Sequence, residues 1–101
     1  MLPLHIPLTQ KAKEEGLLPY TSPPNGWGMF FFNTPAIHTI GMKFPIDVIS
    51  LDEFFTILDI KTILPNTEIY SYPETAHILE LAPDAASRLG LHLYSKIYPI
   101  F

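Results

Sequence analysis

The chain contains no cysteine. That absence excludes disulfides, thiolate zinc sites and thiol nucleophiles, and it fits a reducing compartment. Charge is scarce as well, at 16% of residues against roughly 25% in an average globular chain. Six basic residues stand against ten acidic ones, for a formal net charge of −4. The six are spread from Lys11 to Lys96 without a cluster that could track a phosphate backbone, so nucleic acid is not an expected partner. No run approaches the roughly 20 apolar residues needed to cross a bilayer as a helix. The opening MLPLHIPLTQ lacks the basic segment and long apolar stretch of a signal peptide, and two prolines interrupt it. The expectation is therefore no membrane insertion and no export: a cytoplasmic protein, or part of a particle assembled in the cytoplasm. Catalytic signatures are missing too. Asn25-Gly26-Trp27-Gly28 has neither the spacing nor the lysine of a phosphate loop, and no serine sits in a Gly-x-Ser-x-Gly turn.

What is present points to one small β-rich domain. A chain of 101 residues, 48% of them hydrophobic, fits a single domain over residues 1–101. Eleven prolines recur along its length. Each removes a backbone donor and stops a helix or confines a strand to an edge, so long helices are not expected. Two short ones are. Thr9 can cap a turn over Gln10 to Glu15 with Gly16 as its stop. The second runs from Pro83 to Leu89, with Asp84 near its positive end and Gly90 beyond it. Strands are expected over Trp27–Phe32, Ile46–Leu51, Phe54–Ile63, His77–Leu81 and Leu93–Tyr98, with Leu2–Ile6 as an edge strand. Asp52 and Glu53 mark a hairpin turn. The fold class is mainly β: a small jelly-roll-like sandwich or barrel of 5–7 mostly antiparallel strands with one or two short helices.

The most distinctive segment is His38 to Asp52, HTIGMKFPIDVISLD. On one reading, His38 and Asp47 converge at one end of the sheet and hold a polar ligand or share a proton, with Thr39 adding a hydroxyl. On the other, His38 bonds a backbone carbonyl and Asp47 accepts backbone amides that fix a turn. Both readings stand at this point. The histidines His5, His38, His77 and His92 include no pair three to five residues apart, so there is no local zinc spacing. A distant set of His38, His77 and Glu80 fails on parity, since His77 and Glu80 face opposite sides of a regular strand. Met29, Met42 and His38 would suit copper(I), but methionines beside three phenylalanines are ordinary core filler. No metal or cofactor is expected.

The run Phe30-Phe31-Phe32 places rings on both faces of its strand, with Phe31 opposite the other two. Phe54 and Phe55 repeat the pattern. These two-sided apolar strands suggest self-association, with Phe31, Phe54 and Phe55 as candidate interface residues.

Four segments, GLLPYTSPPNGWGMFFF, HTIGMKFPIDVISLD, ILPN and AHILELAPDAASRLGL, together resemble the bacterial and archaeal family called domain of unknown function 192, from about Lys11 to Leu93. The central block carries His38, Thr39, Gly41, Met42, Pro45, Ile46, Asp47 and Asp52. Leu79-Glu80-Leu81 and a later Gly90-Leu91 step strengthen it. The resemblance implies a compact, mostly β domain of jelly-roll-like character and no agreed activity. It maps the family's hallmark positions onto His38, Met42, Asp47 and Glu80. The chain departs from the pattern at Ala82-Pro83-Asp84, where members have Pro-Ala-Gly, and at Leu93-Tyr94-Ser95, where they have Gly-Asp.

Three functions compete. The first is a non-enzymatic structural or assembly module that pairs with itself or docks on a larger scaffold, for example a capsid-decorating or stabilising protein of a virion. The alternative is a small-ligand or carbohydrate-binding module using Trp27, His38, Thr39, Asp47 and Glu80. A metal-dependent hydrolase ranks third, because no nucleophile or ligand set can be named.

Overall fold

The computed structural model describes residues 2–98; Met1 and residues 99–101, the ends of the expected domain, lie outside the described residues. The chain runs β1 (Leu4–His5), α1 (Gln10–Glu15), β2 (Gly28–Phe31), β3 (Ala36–Ile37), β4 (Ile46–Leu51), β5 (Ile57–Ile63), β6 (Tyr70–Ser71), β7 (His77–Leu81) and α2 (Ala85–Arg88). Five strands form one sheet in the order β1-β2-β7-β4-β5, and β3 pairs with β6 in a separate two-stranded sheet. β1 runs parallel to β2 while every other pair is antiparallel. The sheet is thus mixed and open, and the expected barrel does not close.

β4 and β7 are buried along their whole length. With β2, which is equally buried, they are the inner strands, and both faces of the sheet are covered. Alternation along the strands sorts the core into two clusters. One face carries Met29, Phe31, Ile46, Val48, Ile63 and Ile78, packed under Leu17, Met42 and Phe44. The other carries Phe30, Ile49, Leu51, Ile57, Leu79 and Leu81, packed under Ala85 and Ala86 of α2. The covering layer over the first face includes the small sheet, since Ile37 and Tyr70 pack against it. The Tyr70 hydroxyl donates to the Asp59 carboxylate and ties the two sheets together. Burial, and then the Asp59 carboxylate, push the Tyr70 phenol well above its ordinary range.

Several elements differ from the sequence expectations, each for a visible reason. β5 begins at Ile57 rather than Phe54, because Asp52 Oδ1 accepts the amides of Phe54 and Thr56 at 2.9 Å each and extends the turn. Phe55 there takes a left-handed conformation, φ 63°. Leu93–Tyr98 is not a strand: Tyr94 is left-handed at φ 68°, and the segment makes one isolated bridge, Lys96 with Thr56. The edge strand shrinks to Leu4–His5 and α2 to Ala85–Arg88.

The segment His38–Phe44 is pinned to the loop after β5. The Thr39 hydroxyl donates to Leu64 O at 2.7 Å and accepts from the Thr67 amide at 2.9 Å. The Gly41 amide donates to Asn66 Oδ1 at 3.0 Å, with Gly41 at φ 83°. Those bonds hold Met42 down on the sheet.

Candidate functional site

The local chemistry that builds the site begins in α1. Thr9 Oγ1 accepts the Ala12 amide at 3.0 Å, so the N-terminal turn is capped as a threonine there allows. Gly16 ends the helix at φ 46°, a conformation that favours glycine. Gln10 donates to Glu14 and Lys11 lies 4.0 Å from Glu15, both at helical i,i+4 spacing. None of the six helical residues is buried. α1 therefore contributes little to the core and instead forms a wall.

Facing it are the turn after β2 and the short β3. Between these walls lies a cleft of about 310 Å³. Its exposed rim includes Gln10, Glu14, Glu15, Asn33 and His38; its buried base is Leu17, Phe31, Met42 and Glu80. Lys13 stands in one wall, and its ammonium donates to Phe32 O across the cleft edge at 3.0 Å.

Glu80 is the unusual member. It lies on β7 directly between Met29 of β2 and Val48 of β4 in the sheet register. It is 5% exposed, and its carboxyl makes no hydrogen bond or ion pair with any described residue. Burial pushes its carboxyl up to about 8. No cation or donor offsets that effect, so the group is held as a neutral carboxylic acid near pH 7. It then presents one O–H donor and two acceptor oxygens to the cleft.

The structure separates the residues singled out in the sequence. His38 and Glu80 line the same cleft. His38 is exposed on the rim, and its Nδ1 accepts the Ile40 amide at 3.3 Å. Asp47 lies on the other face of the sheet, 3% exposed. Its Oδ1 accepts the Thr62 hydroxyl at 2.8 Å and its Oδ2 the Ala86 amide at 3.1 Å. His38 and Asp47 do not meet, because the sheet stands between them. Thr39 is buried with its hydroxyl used twice by backbone groups. Trp27 is half-buried outside the cleft, between Tyr20 and His5 at 5.3 and 6.4 Å between ring centroids. Phe31 is 3% exposed and covered by the chain's own residues, whereas Phe54 is 61% exposed and Phe55 is half-buried against Phe32 and His77.

His77 and Glu80 face opposite sides of β7, as strand parity requires. His77 sits among Phe30, Phe32 and Phe55, and its Nδ1 accepts the Asn33 amide at 3.0 Å. Among the described residues, no group of three or more His, Asp or Glu side chains could hold a metal ion. Lys13 and the α1 wall were not legible as site residues. The available signal was that QKAKEE has no apolar stripe for a core to use.

The cleft and the sheet below it belong to a family fold. The family profile of domain of unknown function 192, described as Uncharacterized ACR, matches residues 2–98. The chain is therefore a member of that family. No curated protein matches it. Two crystal structures share the fold. A protein of unknown function from Novosphingobium aromaticivorans superposes with a TM-score of 0.85 at 22% identity, covering 97% of this chain and 75% of its own. A candidate transcription regulator from Sinorhizobium meliloti gives 0.82 at 24% identity, covering 94% and 79%. Of His38, Met42, Asp47 and Glu80, the positions the resemblance singles out, three line the cleft and Asp47 alone lies behind the sheet.

Proposed function

We propose that this chain is a small-ligand-binding domain whose site is the cleft between α1 and β3. One observation carries the reading: Glu80, 5% exposed at the base of the cleft, is met by no hydrogen bond or ion pair from any described residue, and the cleft is lined by its side chain. Burying most of a carboxyl costs free energy that a leucine in its place would not, and only what occupies the cleft can meet it. A ligand group seated in the cleft would supply the missing partner. A helix with no buried residue, walling the same cleft, supports the same reading.

Binding fits the lining better than catalysis does. No serine lines the cleft, and the Thr34 hydroxyl already donates to Phe32 O at 3.0 Å. A nucleophile beside a base is thus missing from the lining. The test is a fragment screen by NMR on protein labelled at the methionine methyls, run on the wild type and on Glu80→Leu. Binders should move the Met42 methyl signal and lose affinity at least tenfold in the variant. A broad panel of amines, alcohols, amides, carboxylates and sugars that leaves Met42 unmoved at millimolar concentration would sink the proposal.

The assembly reading keeps a second place on a different observation. Phe54, Tyr94 and Tyr98 are all strongly exposed near the β4–β5 turn, where Lys96 lies 5.9 Å from the Phe54 ring centre. Self-association or docking on a scaffold through that end would cover them. Sedimentation of the wild type and of Phe54→Ser at high concentration decides it; a wild-type monomer at every concentration removes the self-associating version.

A further inference from the structure

Resting on the ligand-site reading above, we infer that the occupant of the cleft is an organic ammonium cation that pairs with the Glu80 carboxylate. The groups around Glu80 favour that charge. On its own sheet its neighbours are apolar: Met29 and Phe31 on β2, Val48 on β4 and Ile78 on β7. From α1 the cleft receives Lys13, Glu14 and Glu15, and from the end of β3 it receives His38. Lys13 is the one fixed cation among them, and its ammonium is engaged by Phe32 O at 3.0 Å. An incoming anion would therefore meet Glu14, Glu15 and Glu80 with a single lysine, one of whose three donors is already used, to hold it. A cation meets the reverse. Glu14, Glu15 and the net charge of −4 draw it toward the mouth. At the base, Phe31 and Met42 line the cleft, and an aromatic ring and a thioether are polarisable groups that suit an ammonium group and its alkyl stem.

The pairing has a balanced proton inventory. The neutral carboxylic acid gives its proton to solvent, the arriving ammonium keeps its own protons, and the product is a carboxylate–ammonium pair at the base of the cleft. An opposite charge at contact distance is what brings a desolvated carboxyl down into its ionised form. About one proton is therefore released per cation bound at pH 6 to 7, below the value of about 8 to which burial raises Glu80 and above the ordinary carboxylate range of the paired form. A neutral hydroxyl or amide ligand would instead use the protonated acid as a donor and would bind more weakly as pH rises.

n-Butylammonium is a suitable probe, because an alkylamine of lysine type keeps its proton to about pH 10. Binding is read on the Met42 methyl at pH 6, 7 and 8, with n-butanol and butyrate at equal ionic strength beside it. The Kd for butylammonium should tighten about ninefold from pH 6 to 7 and about fivefold from 7 to 8. Calorimetry in two buffers of different ionisation heat should count about one proton released at pH 6. Glu80→Gln, which mimics the protonated acid in shape, should bind at least tenfold more weakly at pH 8 and show neither the pH slope nor the proton release. If butanol or butyrate binds in the cleft as tightly as butylammonium, or if the slope is flat or reversed in the wild type, the cation is wrong and the ligand site stands. If none of the three probes moves Met42 at any pH, both fall.

Discussion

Asp47 Oδ2 on β4 accepts the Ala86 amide of α2 at 3.1 Å, across 39 residues of chain. Ala86 is the second residue of that helix, a position whose amide has no partner within the helix and is usually met by the N-cap side chain. Here the N-cap residue, Asp84, is left-handed at φ 67° and makes no side-chain cap bond. A strand residue has taken over its task. Asp47→Ala should therefore destabilise the fold by about 1–3 kcal/mol, the cost of a buried amide left unmet. Asp84→Gly should be neutral or mildly stabilising, since glycine accepts that backbone conformation without strain. Urea midpoints of the two variants check the ranking; equal losses would contradict it.

Gly28 opens β2 with no room for a side chain. A Cβ built there lies 2.6 Å from Leu81 Cδ2 and 3.2 Å from the Glu80 carbonyl oxygen. Leu81 can give way, but the backbone oxygen belongs to an inner strand and cannot move alone. Gly28→Ala should cost about 1–3 kcal/mol by overpacking. Because the strain falls on the strand that carries Glu80, it should also shift the Met42 methyl resonance, where Ser22→Ala, an exposed control, should not.

These two sites show where the sequence was legible and where it was not. α1 forms over the expected Gln10–Glu15, and β4 and β7 over the expected Ile46–Leu51 and His77–Leu81. Their signals are local: a cap and a stop, a β-branched run, and a short run rich in isoleucine and leucine. β3 and β6 were invisible, because two-residue strands carry no periodicity and exist only by pairing across 33 residues, from Ile37 to Tyr70. That His38 and Asp47 lie on opposite sides of the sheet needed the sheet order, and that order puts β7 between β2 and β4 by contacts distant in sequence. Parity alone did place His77 and Glu80 on opposite faces. Glu80 entered as a rejected metal ligand and again through the family resemblance, but only the packing around it shows that no described residue pairs with its carboxyl.

His77 gives the fold one acid-sensitive point. Burial among Phe30, Phe32 and Phe55 holds its imidazole below the ordinary 6.5, with the Asp52 carboxylate opposing weakly. A base whose folded value is depressed binds fewer protons in the folded chain than in the unfolded one, so its contribution is present above 6.5 and is lost as the pH falls below it. The charged ring would also lose the Nδ1 lone pair that accepts the Asn33 amide. His77→Phe should remove this acid sensitivity while costing about 1–3 kcal/mol at pH 7.5 through the unmet amide. Denaturation at pH 5 and pH 7.5 on both proteins separates the two effects: the wild type should lose more stability on acidification than the variant does.

Glu80 works in the opposite direction and gives the sharpest test of its surroundings. Its carboxyl is raised from an ordinary 4.5 to about 8 by burial. Between those values the folded chain keeps a proton that the unfolded chain has released, so stability declines as the pH rises through that window. A shift of that size corresponds to roughly 4–5 kcal/mol at its upper limit. Glu80→Gln keeps the shape and cannot ionise. It should match the wild type within about 1 kcal/mol near pH 4.5 and exceed it by several kcal/mol at pH 8, where the charged carboxylate would sit unpaired among Met29, Val48 and Ile78. Urea denaturation at pH 4.5, 6 and 8 reads the divergence. Parallel curves for the two proteins would mean that the carboxyl finds solvent or a partner when it ionises, and the desolvated base of the cleft would then be wrong. A widening gap would mean that the free protein carries a group that weakens it at neutral pH, and that a bound cation at the same position restores the stability lost.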